Sequence, residues 1–475
     1  MHHSNQIYIN GTWVPSASST AIPVVNPATE EVIAAVPAGT AVDADRAVAV
    51  ARKAFSSWSA VTPAERAKYV TAFRDALAAR TEELADLICA DLGAPRAMAL
   101  PFHVKNALAK IAMYTDTARN YAWEEPSDVA TIVRPPVGVV VAITPWNAPL
   151  TTSVDKITPA LLAGCPVVFK PSEVAPLAAW AMAEVIDEAG FPPGVFNLVS
   201  GAGATVGEAL VSHPEVDMIT FTGSTRVGKR IGAMAAERAA RFMLEMGGKS
   251  ANIILEDADL DQALKPSVMS CFANSGQICT ALTRLLVHHN RYAAAVERIK
   301  AIAEQVTVGD PATDVDLGPV VSRAQRDRVR GYIEQGIAEG AVLVAGGAEP
   351  PEGLEKGFFV RPTVFADVTS SMTIAQEEIF GPVLSVIEYE DEDHAVSIAN
   401  DIRYGLSGSV WSADPEHARR VARRLRTGGV GINGQRPGPT APFGGFKQSG
   451  TGRTNGRFAL DEYVEMQAIA TEQAA

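Results

Sequence analysis

The chain has 475 residues, 47% of them hydrophobic, and 54 acidic against 41 basic side chains give a formal charge of −13. That length is a prior for about three ordinary domains with large cores. The acidic balance excludes general affinity for nucleic acid or anionic membrane, so an anionic ligand must be held by backbone amides and a few placed cations.

No run of 18 or more apolar residues exists, and the start Met1-His2-His3-Ser4-Asn5-Gln6 lacks the regions of an export signal. A soluble, cytoplasmic protein is expected. Cys89, Cys165, Cys271 and Cys279 are too few and scattered for a disulfide framework, and no Cys or His pair has zinc spacing, so no metal is expected. A reducing compartment suits a catalytic thiol.

In chain order, Ala-rich runs such as Ala47-Val48-Ala49-Val50-Ala51 predict that residues 43–122 are mostly helix. A break at Glu124-Glu125-Pro126-Ser127 leads into a strand-like stretch at 130–134, and the apolar run 137–143 reads as a strand. Strands are then predicted at 166–170, 195–199, 218–221 and 242–244, with helices at 175–189, 204–211 and 227–239 between them. Such alternation predicts a parallel sheet covered on both faces, with ligands beyond the carboxyl ends of its strands. Trp146-Asn147, Lys170-Pro171-Ser172-Glu173, Gly201-Ala202-Gly203, Gly223-Ser224 and Glu245 all fall at such ends. A second α/β segment runs from Ala251 to about Gly444, and the Pro/Gly-rich stretch 435–442 reads as a shaped wall.

The chemistry lies in three strings. Phe272-Ala273-Asn274-Ser275-Gly276-Gln277-Ile278-Cys279 brings a thiol, Leu244-Glu245-Met246-Gly247-Gly248-Lys249 a carboxylate base, and Thr144-Pro145-Trp146-Asn147 an amide donor. Together they suffice for acyl transfer through a thioester. Singly they carry little, since a lone Cys is usually a small buried hydrophobe and a lone Glu usually faces solvent. G-x-G-x-x-G is absent after the strands. Instead Phe221-Thr222-Gly223-Ser224-Thr225 opens a helix, either as an ordinary capped turn or as an anion site. Lys170 and Glu173 fit either a surface ion pair or a ligand contact.

These strings closely resemble the aldehyde dehydrogenase superfamily, from Ile9-Asn10-Gly11 to Glu462-Tyr463. The resemblance implies an α/β fold: a Rossmann-like NAD-binding domain (1–122 and 137–246), a catalytic α/β domain (247–446), and a small β oligomerisation arm (123–136 and 457–475). It implies a homodimer or homotetramer that oxidises a small-molecule aldehyde. Cys279 is the nucleophile, starting as a thiolate favoured by the positive nicotinamide ring and by Glu245 taking the proton directly or through water, since a buried thiol without such help has a raised pKa and is inert, with Asn147 as oxyanion donor, Glu245 as base for the deacylating water, and Lys156 a further catalytic residue. Cofactor contacts are implied at Thr144, Pro145, Trp146, Lys170, Ser172, Glu173, Gly203, Gly223, Ser224, Val227, Gly247, Glu378 and Phe380. Glu173 repels a 2′-phosphate, so NAD is favoured over NADP. The aldehyde pocket is expected from Thr151, Thr152, Asp155, Ile278, Thr280, Arg436 and Phe443. Small polar residues there, with Arg436 suited to a carboxylate, favour a medium-sized aldehyde with an oxygenated or carboxylated far end; Asp155 and Arg436 facing solvent or each other is equally open. Relatives often carry Glu where Thr454 stands and Thr where Val464 stands, and neither position is expected to touch the chemistry. A coenzyme A-acylating or NADP-preferring relative stays open, as does a structural protein on the same fold.

Overall fold

The computed structural model describes residues 3–470, and the last positions of the expected C-terminal arm, 471–475, lie outside them. Its largest sheet has eight strands. Five run parallel in the order Arg241–Glu245, Met218–Thr222, Val140–Ile143, Val167–Lys170, Phe196–Leu198. The first strand in sequence, Val140–Ile143, is thus central and the fourth lies on its other side. The crevice where the order reverses opens beyond Ile143 and Thr222, which is where such sheets bind ligands.

Both faces of this sheet are dry, as expected for parallel strands. Val140, Ala142, Val167 and Phe169 join one core, while Val141, Val168, Ile219 and Phe221 join the other. The predicted helical region is observed as Ala41–Ser59, Pro63–Ala79, Thr81–Leu92 and Asn106–Arg119 with the irregular turn Ala99–Lys105; the last three helices and the turn cover the first core, while Ala41–Ser59 buries Ala44, Ala47, Val48 and Ala51 in the second and only Ala54 and Trp58 in the first. Periodicity missed the short strands Ile7–Ile9 and Thr12–Val14, which extend one edge antiparallel. At the other edge Gly450–Thr451 returns from late in the chain to pair with Leu244 and Glu245.

A second, seven-stranded sheet begins at Ala251–Ile254 and is parallel except for the edge strand Val342–Ala345. It too buries alternate residues in separate cores, Ile253 and Leu286 on one face and Ile254, Leu285 and Val287 on the other. The α/β class with two parallel-sheet units is therefore as expected. In the arm, Glu124–Pro126, Ala130–Val133 and Gln467–Ala470 pair within one chain as a three-stranded antiparallel sheet. The expected arm 457–475 opens on helix Gly456–Glu462, so only Gln467–Ala470 of it is strand among the described residues. No helix among the described residues is long and apolar enough to cross a membrane, and no group of three or more His, Cys, Asp or Glu there is arranged to hold a metal.

Candidate active site

Glu245 ends the last parallel strand of the first sheet and Ala251 begins the second, so the expected base sits at the joint between them. Cys279 reaches the same place through a strained turn. After helix Leu260–Phe272, residues Asn274, Ser275 and Gly276 take φ of 54°, 55° and 73°, a region that is costly for side chains other than Gly. Ser275 Oγ donates to the Gly318 carbonyl at 2.8 Å, and Gln277 Oε1 accepts from Val321 N at 2.9 Å. A Cβ on Gly276 would lie 2.0 Å from the Gly381 carbonyl oxygen, so glycine is required there.

Asn147 lies between strand Val140–Ile143 and helix Pro149–Ala163. Its Nδ2 donates to the Gln277 carbonyl at 2.9 Å, and its own carbonyl accepts from Asn274 Nδ2 at 2.9 Å. The amide is thereby fixed against the segment that carries the thiol.

Cys89, Cys165 and Cys271 are buried, whereas Cys279 is partly open. Burial within the site, then the charges of Glu245 and Glu378, push the Cys279 thiol up to about 12, against the opposing N–H groups of Cys279 and Thr280. Ionisation thus requires a positive charge or a base brought to the sulfur. Alkylation of Cys279 by iodoacetamide is expected to rise about tenfold per pH unit between pH 7 and 10, because only the thiolate reacts. A flat profile by peptide mass spectrometry would mean that the thiol is already ionised.

The Glu245 carboxylate is clasped on both sides. Thr222 Oγ1 donates to Oε2 at 3.0 Å, Thr454 Oγ1 donates to Oε1 at 2.9 Å, and Lys156 Nζ stands 3.8 Å from Oε2. Lys156 is fully buried and donates to Thr220 Oγ1 at 3.2 Å. Burial pulls its pKa down while Glu245 and Asp155 hold it up. Thr454 therefore does touch the proposed chemistry, contrary to expectation: the late segment that adds Gly450–Thr451 beside Glu245 carries Thr454 onto the carboxylate. Val464 is buried in the core of the first sheet, as a packing role requires.

Part of the expected cofactor set meets across the same joint. Trp146 from the first sheet meets Phe380 from the second, edge to face at 5.4 Å between centroids. Glu378 Oε1 accepts from Gly248 N at 3.0 Å, and a Cβ on Gly247 would lie 2.1 Å from Oε2. Burial raises Glu378 to about 7. Thr144 follows strand Val140–Ile143, its amide donating to the Lys170 carbonyl. Lys170 Nζ is 3.3 Å from Glu173 Oε2, with Ser172 Oγ accepting from Val174 N beside them. Ser224 caps helix Thr225–Glu237 by accepting from Val227 N, and Gly223 leaves no room for a Cβ against the Phe221 ring. Gly203 opens the turn Gly203–Gly207 with open space beside its Cα.

The aldehyde pocket departs from expectation. Asp155 neither faces solvent nor meets Arg436: it is buried, and both its oxygens accept from Lys110 Nζ, at 2.8 and 2.7 Å, with Tyr114 OH adding 2.9 Å. Asn455 Oδ1 takes Lys110 Nζ too, at 2.9 Å. Thr151 and Thr152 direct their hydroxyls to the carbonyls of His103 and Ala148. Arg436 is exposed and pairs with no carboxylate among the described residues. Ile278 and Thr280 flank the thiol, half-buried. Phe443 exchanges both backbone hydrogen bonds with Thr454, whose hydroxyl bonds Glu245. No local signal marked Thr222, Thr454, Lys110 or Asn274, because each acts on a residue far away in sequence.

The model of the aldehyde dehydrogenase family matches residues 13–469. The chain belongs to the aldehyde dehydrogenase family. Among curated members of the family, a 3-succinoylsemialdehyde-pyridine dehydrogenase of a Pseudomonas species is 44% identical over 471 residues, 99% of either chain. Among solved structures, a mutant of aldehyde dehydrogenase C from Pseudomonas syringae, complexed with NAD+ and octanal, superposes with a TM-score of 0.98 at 45% identity, covering 100% of this chain and 98% of that one. The aldehyde dehydrogenase of Mycobacterium tuberculosis complexed with NAD+ gives 0.96 at 43% identity, with 99% of both chains covered.

Proposed function

We propose that this aldehyde dehydrogenase uses NAD to oxidise an aldehyde to a carboxylic acid through an acyl group carried on Cys279 and released by water. The observation that carries the reading is the junction of the two sheets, where the most accessible of the four thiols stands with the Asn147 amide and the Glu245 carboxylate. The Cys279 thiol gives up its proton to Glu245, directly or through water that passes it to solvent, as the sulfur bonds to the aldehyde carbon, and the oxyanion that forms takes hydrogen bonds from the Asn147 side chain and the Cys279 N–H. NAD, when bound, accepts the hydride that leaves the tetrahedral carbon, and its positive ring favours the thiolate. Glu245 then takes a proton from water as the water oxygen bonds to the thioester carbon, and the carbon–sulfur bond breaks to return the thiol.

The site fits NAD on its own chemistry. Glu378, a half-buried acceptor against a glycine backbone, and the Lys170–Glu173 pair suit ribose hydroxyls, while the amides behind Ser224 suit a pyrophosphate. Glu173 favours NAD by repelling a 2′-phosphate, and Glu173→Gln is expected to narrow the ratio of kcat/KM values. Equal use of NAD and NADP by the parent enzyme would remove that assignment.

The same assay tests the whole reading: NADH formation from alkanals, aromatic aldehydes and ω-oxo acids, with and without coenzyme A. Turnover without coenzyme A is expected, because Glu245 occupies the base position; dependence on coenzyme A would replace hydrolysis by acyl transfer. With Lys110 and Asp155 neutralising each other, the pocket suits a medium-sized aldehyde with an uncharged oxygenated end better than the carboxylated one that Arg436 suggested. Selective use of short unsubstituted alkanals would exclude it. Val129, Met466 and Ile469 expose apolar surface on and beside the three-stranded sheet, which suits contact between copies of the chain in a dimer or tetramer; a monomer mass by light scattering would exclude it. The free cysteines suit a reducing compartment such as the cytoplasm.

A further inference from the structure

His103 is fully buried in the turn Ala99–Lys105. Its ring faces the Asn274 side chain, and its carbonyl accepts from Thr151 Oγ1 on the Asn147 helix at 3.1 Å. Both ring nitrogens of His103 are without a regular hydrogen-bond partner among the described residues, and so is Asn274 Oδ1. Buried polar groups rarely stay unpaired. Here an imidazole, which in its neutral form has one N–H to give, faces an amide oxygen with nothing else to accept. Burial holds the ring neutral, down at about 4.

The other end of the Asn274 amide is committed. Its Nδ2 donates to the Asn147 carbonyl at 2.9 Å and, more weakly, to the Gln277 carbonyl at 3.5 Å, while the Asn274 backbone carbonyl accepts from Gln277 Nε2 at 3.1 Å. An Asn amide presents oxygen and nitrogen in nearly the same shape, so only its partners fix which end points where. A donor opposite Oδ1 keeps Nδ2 aimed at Asn147. Without it, a flipped amide would set an oxygen against the Asn147 carbonyl and loosen the residue that holds the oxyanion.

We infer that His103 is a positioning residue for the reaction: its ring N–H fixes the Asn274 amide, which in turn fixes Asn147. The inference rests on Asn147 being the oxyanion donor, and the experiment separates the two. His103→Phe keeps a ring and removes the N–H, while His103→Gln restores a donor. Removing an oxyanion donor outright costs about 10²–10³ in kcat, so loosening one is expected to cost about tenfold in His103→Phe. KM for aldehyde and NAD should stay within about twofold, and His103→Gln should recover most of kcat. Added to Asn147→Ala, His103→Phe should cost almost nothing more, because both changes remove one function.

A parent-like kcat in His103→Phe, the same loss on the Asn147→Ala background as on the parent, or no recovery in His103→Gln would each overturn the role of His103. An undiminished kcat in Asn147→Ala alone would instead overturn the oxyanion assignment. Where the phenylalanine variant fails to fold, His103→Met, similar in volume and adaptable, takes its place in the same comparisons.

Discussion

Cys279→Ala is expected to stop aldehyde oxidation, by more than about 10⁴-fold, since removing the nucleophile of a covalent mechanism leaves only binding and electrostatics. NAD binding, followed by calorimetry, should stay within a few fold, because none of the groups assigned to the cofactor depends on the sulfur. No other cysteine is placed to substitute. Cys271, the nearest in sequence, is fully buried in an apolar core, its Sγ 3.4 Å from the Val383 carbonyl, and burial pushes its thiol up to about 12. Turnover retained in Cys279→Ala would remove the covalent mechanism.

Glu245→Gln is expected to form one NADH per site and then stall, with acyl-enzyme visible by mass spectrometry. A general base contributes about 10²–10⁴-fold, and that is the expected loss in steady-state rate. The fold should survive, because a Gln carbonyl still accepts from Thr222 or Thr454 and the change removes a buried charge rather than volume. The pattern of the first turnover carries further information. A fast burst confines Glu245 to deacylation, and a slow burst makes it also the base for the thiol, which burial and the neighbouring carboxylates hold in the protonated form. Normal steady-state turnover would sink the assignment. Thr454 adds a refinement: by holding Oε1 it orients the carboxylate, so loss of its hydroxyl should act through the hydrolytic step.

Much of this molecule is written in local patterns. Continuous apolar runs such as 137–143 alternate with helical stretches because parallel strands are buried on both faces, and that signal located the five parallel strands to within a few residues. It also put Asn147, Lys170, Gly223 and Glu245 at strand ends, and so on one side of the sheet. The strings around Cys279 and Glu245 supplied the reaction chemistry, since a thiol, a carboxylate and an amide have few other uses together.

Tertiary structure alone decided what surrounds those groups. Thr454 and Glu245 are 209 positions apart, and Lys110 and Asp155 are 45 apart; no spacing rule links either pair. The strands at Ile7–Ile9 and Thr12–Val14 are too short for periodicity and exist because an open sheet edge offers them partners. The resting state of Cys279 depends on how much water and how many charges the packed chain leaves around it, which the residue type does not specify. Local sequence determined which groups are offered for the proposed reaction because their chemistry belongs to the residues themselves; packing decided their protonation and orientation because electrostatics and hydrogen bonding act through space, between residues that only the fold brings together.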